Sequence, residues 1–529
     1  MRRLILTILC SLALSAPTLG AGLMKPKPAV AELPPHAEFT FDRHEVAIGP
    51  AERQTVLTGF LLGGAIADLA VVKIDENLDR RLRIYAFRDG TWTPIVDAKL
   101  RPEVSFVDVA RIGGRERLIT YEPGRLNWFD PESARERMLV AVTSSFNPPP
   151  RGEVLHVDVT QDVNDDGRDD LVVPRFHGFR VFVQMSGGEF ADPVMVGPPT
   201  GMGRIYGADG YRYDPWNQGG RIHEMDYDQD GRTDLVFWDR DHFELHRQNE
   251  RGLFAREAET FTTEVAFDSD EIAWLAAPQG VHERQTDHMP AGKLTGRVLH
   301  SISDMNGDGV ADLVVFSLEG GSLWKMRSAY QVHFGVPGSG GTAFASEVGA
   351  EIRSDGIPFG VGRHDFDRDG QLDMTFTTIN PGVFKAIGML ASAIFTGTVS
   401  MDLDFYRMEN GHYPDQPNAT RKIKAGVRDA EDRAARFPAV LIGDVNGDRR
   451  SDLLVQKGRE GLRVFLGVPG ARLFDRRPQR VKVAMPGDEE YTWLADLDDD
   501  GKQDIVIHQP STTEPHRVTM LITHRGVAR

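Results

Sequence analysis

Residues 162–173 read DVNDDGRDDLVV. Five carboxylates and one amide crowd the first nine positions, and an apolar run follows at once. Like charge at that density repels itself unless a counter-charge is supplied. The same spelling returns five more times: DYDQDGRTDLVF from Asp226, DMNGDGVADLVV from Asp304, DFDRDGQLDMTF from Asp365, DVNGDRRSDLLV from Asp444 and DLDDDGKQDIVI from Asp496. The shared pattern is D-x-[DN]-x-D-G-x-x-D followed by a β-type apolar stretch. One match in an acidic chain is unremarkable, but six with the same apolar exit make a repeat.

Oxygen ligands at positions 1, 3 and 5 of a tight loop converge on one point. A backbone carbonyl at position 7 adds a fourth ligand, a carboxylate at position 9 closes the site, and glycine at position 6 allows the sharp turn. Hard oxygen donors without nitrogen or sulfur suit Ca²⁺, and suit Mg²⁺ less because it demands stricter octahedral geometry. The expected ligands are therefore Asp162, Asn164, Asp166 and Asp170; Asp226, Asp228, Asp230 and Asp234; Asp304, Asn306, Asp308 and Asp312; Asp365, Asp367, Asp369 and Asp373; Asp444, Asn446, Asp448 and Asp452; and Asp496, Asp498, Asp500 and Asp504. A divalent ion in each would turn repulsion into the bonding that closes the turn. The competing reading is a set of solvated Asx-turns. It is strongest at Asp444, where Arg449 replaces the glycine. An EF-hand is excluded, because position 12 should be a bidentate Glu opening a helix. Here it is Val173, Phe237, Val315, Phe376, Val455 or Ile507, so each loop feeds a strand.

The loops start 64, 78, 61, 79 and 52 residues apart, a spacing that suits a four-stranded blade. A second strand follows the first, as in FRVFVQM (179–185) and LRVFLGV (462–468), and then a turn with an aromatic, as in GGEF and ARLF. Four short strands per unit, punctuated by Gly and Asp, predict an all-β propeller. These units resemble the FG-GAP and VCBS repeats, the calcium-loop blades of the integrin α-subunit propeller and of secreted bacterial proteins. The resemblance covers nearly all of the chain after the leader, although the Phe-Gly and Gly-Ala-Pro flanks are poorly kept. It implies Ca²⁺ on the loop aspartates, at a loop between the first two strands of a blade.

Two degenerate units precede the six. LLGGAIADLAVV (61–72) keeps Asp68 but places Phe60, Leu62 and Gly64 where ligands belong. FVDVARIGGRERLITY (106–121) keeps Asp108 and Glu116 with Ala110 and Ile112 between them. Both are expected to be blades without metal. That makes eight blades, with seven as the alternative. The last unit is one strand short after RVTMLITH (517–524), and FTFDRHEVAI (39–48) is expected to supply the missing strand and remove an exposed sheet edge.

Arg2 and Arg3, an apolar run from Leu4 to Ala16 and small residues at 20–22 read as a signal peptide over 1–21. A linker over 22–37 and one propeller domain over 38–529 follow. The run is too short to span a bilayer, and no later stretch approaches spanning length. The protein is expected to be exported, to the periplasm, the cell surface or the medium. The only cysteine, Cys10, lies inside the leader, which excludes disulfides and thiolate metal sites afterwards. The net charge of −17 without basic clusters argues against nucleic acid. Six Ca²⁺ would offset most of it. At about tenfold saturation each ion would add about 1.4 kcal/mol of stability.

Three insertions stand outside the repeat. Residues 201–221 carry Tyr206, Tyr211, Tyr213 and Trp216 and suit sugar stacking, protein recognition or a self-packed loop. A short helix is predicted near 383–397, apolar on most sides, and reads as a buried plug, with docking to a partner or dipping into a membrane surface as the alternatives. Residues 280–293 hold His282, Asp287 and His288. No nucleophile elbow, phosphate loop or zinc-protease signature appears. The reading is a calcium-binding adhesion or interaction module for a protein or polysaccharide, expected to act as a monomer. The alternative is a polysaccharide lyase or hydrolase on the same scaffold.

Overall fold

The structure, a computed structural model, describes residues 39–51, 53–146, 154–199, 206–207, 210–211, 216, 222–267, 295–320, 327–355, 357–379, 398–426 and 438–525. The leader, the linker, the 280–293 insertion and the predicted helix near 383–397 lie outside them. The fold is all-β: eight blades of four antiparallel strands form an eight-bladed β-propeller, and the sheet of the second blade gains a short parallel fifth strand, Leu155–His156. The only helical element among the described residues is a 3₁₀ turn at Glu489–Tyr491. No helix there is long and apolar enough to cross a membrane.

The chain divides into two compact units. One, spanning 37–218, 246–259 and 491–529, carries blade 1 (54–99), blade 2 (106–141), blade 3 (160–199) and blade 8 (492–525 with 39–47). The other, spanning 219–245 and 260–490, carries residues 223–245 and 260–261 of blade 4, together with blade 5 (296–355), blade 6 (357–426) and blade 7 (440–482).

Each acidic loop lies between the first and second strands of its blade, and the second strand is the apolar run that follows it. Asp170–Pro174, Asp452–Gln456 and Asp504–Gln509 are buried at every residue. Covered on both faces, such strands need no polar alternation, which is why they read as unbroken apolar runs. Third strands such as Gly461–Phe465 alternate weakly, and the turn after them buries the recurring aromatic, as with Phe474 bridging to Gly467.

Blade 8 is completed as the sequence predicts. Phe39–Ala47 pairs antiparallel with Arg517–Arg525, Phe39 opposite Arg525 and Ala47 opposite Arg517. Phe39, Val46 and Ile48 are buried, and each contributes about 1.5–3 kcal/mol. The apolar core lies between neighbouring blades. One cluster joins Leu69 and Val71 of blade 1 to Leu497, Val506 and Val518 of blade 8, and another joins Phe316 and Tyr330 of blade 5 to Phe376 and Tyr406 of blade 6.

Candidate metal centres

The six loops share one backbone shape. Position 6 adopts positive φ throughout: Gly167 at 82°, Gly231 at 85°, Gly309 at 84°, Gly370 at 89°, Gly501 at 80° and Arg449 at 69°. Arginine at 449 therefore takes up the left-handed conformation that glycine reaches freely, at a cost of about 1–2 kcal/mol. Position 4 is left-handed too, at Asp165, Gln229, Gly307, Arg368, Gly447 and Asp499.

Side chains hold this shape by accepting backbone N–H groups. The position 1 carboxylate takes those of positions 5 and 6: Asp162 from Asp166 (3.0 Å) and Gly167 (2.7 Å), Asp496 from Asp500 (3.1 Å) and Gly501 (2.8 Å). Asp226, Asp304, Asp365 and Asp444 do the same. Oδ1 of position 5 accepts the N–H of position 7, as Asp308 does from Val310 at 2.8 Å.

Position 9 has a second task, which spacing alone does not reveal. In every loop one oxygen of this aspartate accepts the N–H of position 2: Val163, Tyr227, Met305, Phe366, Val445 and Leu497. In five loops the other oxygen accepts an N–H at the far end of the third strand. Asp170 takes Gln184 (2.7 Å), Asp312 takes Gly335 (2.8 Å), Asp373 takes Met408 (2.8 Å), Asp452 takes Gly467 (2.7 Å) and Asp504 takes Thr523 (2.7 Å). The residue is thus a strand tether, fully buried at Asp170, Asp312, Asp373, Asp452 and Asp504. Each bonded carboxylate oxygen keeps a second lone pair for a cation.

Three loops bring carboxylate oxygens within 4.8 Å of one another: Asp226, Asp228 and Asp230; Asp365, Asp367 and Asp373; and Asp496, Asp498 and Asp500. The other three carry asparagine at position 3. Among the described residues, buried oxygens at that position lack hydrogen-bond partners in three loops: Asn164 Oδ1, Asp367 Oδ1 and Asp498 Oδ1. A buried acceptor left unmatched costs about 1–3 kcal/mol, so these oxygens are free to accept from a donor or to ligate a cation. Cationic side chains already gather there. Arg168 reaches Asp166, Arg232 reaches Asp230 and Lys502 reaches Asp500, while Arg407 sits 2.7 Å from Asp367 and 3.4 Å from Asp369. Loop 444 is the most enclosed, with Asp444, Asn446 and Asp448 all buried and Arg450 buried beside them.

Burial pushes the position 9 carboxyls up, and the neighbouring carboxylates add to it. Asp170, Asp373 and Asp452 rise to about 8, Asp312 to about 7 and Asp504 to about 6. Burial raises Asp304, Asp365, Asp444 and Asp496 at position 1 as well. These groups resist ionisation until a positive charge is placed among them.

The loops are also stitched to their neighbours. The position 8 N–H of one blade donates to the position 2 carbonyl of the blade before it: Leu372 to Met305 (2.8 Å) and Ser451 to Phe366 (3.0 Å). Blade 1 keeps this stitch without the ligands, as Ala67 donates to Leu497 of blade 8 at 2.7 Å, and Asp68 survives as the tether, accepting Leu62 N–H at 2.6 Å. In blade 2 residues 106–122 form a plain hairpin, Phe106–Ile112 against Arg115–Glu122. Asp108 lies within its first strand and accepts Val159 N–H at 3.0 Å.

Trp216 belongs to the core. It is buried and meets Phe106 edge-on at 5.0 Å and Tyr121 at 4.9 Å. Of its insertion, only 206–207, 210–211 and 216 are otherwise described. Asp239, His242 and Glu244 also lie close together and half-buried, but His242 Nδ1 is hydrogen-bonded to Asp241 at 2.9 Å and Arg240 sits on Asp239, so these side chains already have partners within their own hairpin.

No family model and no curated protein matches this chain. Among solved structures it is similar to an Agrocybe aegerita lectin that recognises non-reducing terminal N-acetylglucosamine. The two share 12% identity over 70% of this chain and 80% of that one, with a TM-score of 0.36. The V. cholerae biofilm matrix protein Bap1 aligns at 11% identity over 93% and 92% of the two chains, TM-score 0.27. The Bacillus licheniformis rhamnogalacturonan lyase aligns at 10% identity over 92% and 73%, TM-score 0.31. Likenesses this distant do not bear on the ligand.

Proposed function

We propose that the six loops bind Ca²⁺ structurally and that the propeller is an exported FG-GAP/VCBS-type module binding a protein or polysaccharide. The observation that supports the calcium reading is the pre-shaped oxygen cage. Positions 1 and 5 are already turned by the backbone, and buried position 3 oxygens at Asn164, Asp367 and Asp498 have no hydrogen-bond partner among the described residues. In each loop the ion would rest on the side chains of positions 1, 3, 5 and 9. It would supply charge compensation and nothing catalytic. Loop 444 should bind most weakly, since Arg449 and Arg450 bring positive charge to it.

Titration calorimetry on chelated protein tests this. The expected result is five to six calcium ions per chain, magnesium binding more weakly, and a melting temperature that falls on chelation and returns with Ca²⁺. Protein purified in millimolar calcium that carries no metal would overturn it. The binding role is tested separately, by pull-down from envelope extract and by a glycan panel, each with and without chelator. Turnover of any polysaccharide on the panel would replace the binding reading with the enzymatic one.

A further inference from the structure

The first strands of blades 4, 5 and 6 are His223–Met225, Gly296–Ser303 and Ile357–His364. They carry a group of donors that the calcium loops do not use. Arg363 Nη1 donates to Ser303 Oγ of the neighbouring blade, its only hydrogen bond among the described residues. No carboxylate pairs with it there. Its guanidinium is enclosed yet keeps some accessible surface, and burial lowers its pKa.

Around it stand His223, His300 and His364, each feeling the guanidinium charge. Burial first, and Arg363 second, push two of them down, His223 to about 4 and His300 to about 3. Both are therefore neutral rings carrying one N–H each at neutral pH. His223 and His364 make no hydrogen bond among the described residues. His300 uses one nitrogen, which lies 3.1 Å from Ser301 Oγ. Tyr330 packs edge-on against His300 at 4.9 Å and lies within electrostatic reach of Arg363.

His300 is also the extra residue of a β-bulge, the register jumping from Leu299 to Ser301. Bulges of this kind re-aim a side chain and occur beside functional sites. The first strands of blades 4 and 5 lie against each other, so His223 and His300 face the same neighbourhood. A metal does not fit. The three histidines do not converge as a ligand set among the described residues, and a guanidinium among them repels a cation.

We propose that this is an oxyanion-binding site centred on Arg363, taking a carboxylate or sulfate group, with the His223 and His300 rings and the Tyr330 hydroxyl as further donors. A largely enclosed guanidinium without an acidic partner among the described residues is an unmet electrostatic demand, and an oxyanion meets it with two hydrogen bonds. In a chain of net charge −17, a cluster built around that one positive charge selects an anionic group and repels cations. The inference rests on the binding-module reading and deepens it: the ligand carries an oxyanion.

The test is calorimetric titration of the calcium-loaded full chain with sodium acetate and with sodium sulfate, in chloride matched for ionic strength. One saturable site for at least one of the two anions is expected. Arg363→Gln should weaken it about 10- to 100-fold, as expected for losing charge-assisted bonds, and Arg363→Lys should weaken it less. Absence of saturable binding of either anion by the unaltered protein overturns the proposal, as does unchanged affinity in Arg363→Gln. If Arg363→Gln does not fold, the His223→Gln/His300→Gln variant is read instead. At least fivefold weaker binding supports the site, and unchanged affinity sinks it. Calcium stoichiometry and neutral-glycan capture are measured in parallel. If the anion experiment fails while those persist, this inference falls and the broader reading stands.

Discussion

Arg449 shows what one side chain decides. It holds a left-handed backbone, donates its N–H to Asp444 and adds a positive charge to that loop. Arg449→Gly should raise stability by up to about 1 kcal/mol. It should also tighten calcium at that loop, which differential melting with and without chelator will read. The position 9 aspartates make a second prediction at this scale. Their folded pKa values, about 6 to 8, lie above the ordinary 3.8, so without metal the folded state holds more protons than the unfolded one. Stability of chelated protein should thus be full below about pH 4 as far as these groups are concerned. It should then fall as pH rises through 6 and 8. Melting of chelated protein from pH 5 to 8 should show a steady decline that saturating Ca²⁺ flattens. The turn shape of each acidic loop was legible residue by residue, because the spacing of acids and glycine states where the backbone must bend. The tethering role of Asp373 was not, since its partner, the Met408 N–H, lies 35 residues away.

A loop and its two strands form the next level, where ligand and tether can be separated. Asp367→Ala should cost clearly more stability in calcium than in chelator, because it removes a proposed ligand besides its pairing with Arg407. Asp373→Ala also leaves the N–H groups of Phe366 and Met408 unmatched in the interior. It should cost about 1–3 kcal/mol per lost bond in calcium and chelator alike. Denaturant melts of both variants under both conditions check this, and equal behaviour would contradict the tether. Strand existence was readable from the buried runs after each loop. The hairpin of blade 2 was foreseen only as a unit without metal. Its tight Gly113–Gly114 turn replaces the whole loop, so Asp108 and Glu116 sit in facing strands rather than around an ion. Trp216 was open between recognition and packing, and its contacts with Phe106 and Tyr121 place it in the core.

For the whole chain, blade 8 is the informative feature. Its outer strand comes from residues 39–47 and its other three from 492–525, so it buries Phe39 and Val46 across the longest separation in the molecule. Phe39→Ala should cost about 3 kcal/mol. It should also expose the Arg517–Arg525 edge to pairing with other chains, measurable as a lower melting temperature and as concentration-dependent association by light scattering. Net charge acts at this scale too. The −17 of the chain opposes compaction, and six divalent ions would remove most of it.

The sequence by itself determined the repeat, the all-β class, eight blades, the closing strand and the placement of four oxygen donors in each loop. These are local facts, written in spacing and in runs of apolar residues that need no distant partner to be read. Tertiary structure alone decided the tether of position 9, the stitch from position 8 to the preceding blade and the gathering of Arg363 with His223 and His300. Each depends on groups from strands far apart in the chain, and only the packing of blade against blade brings a guanidinium, the imidazoles and a bulge into one neighbourhood.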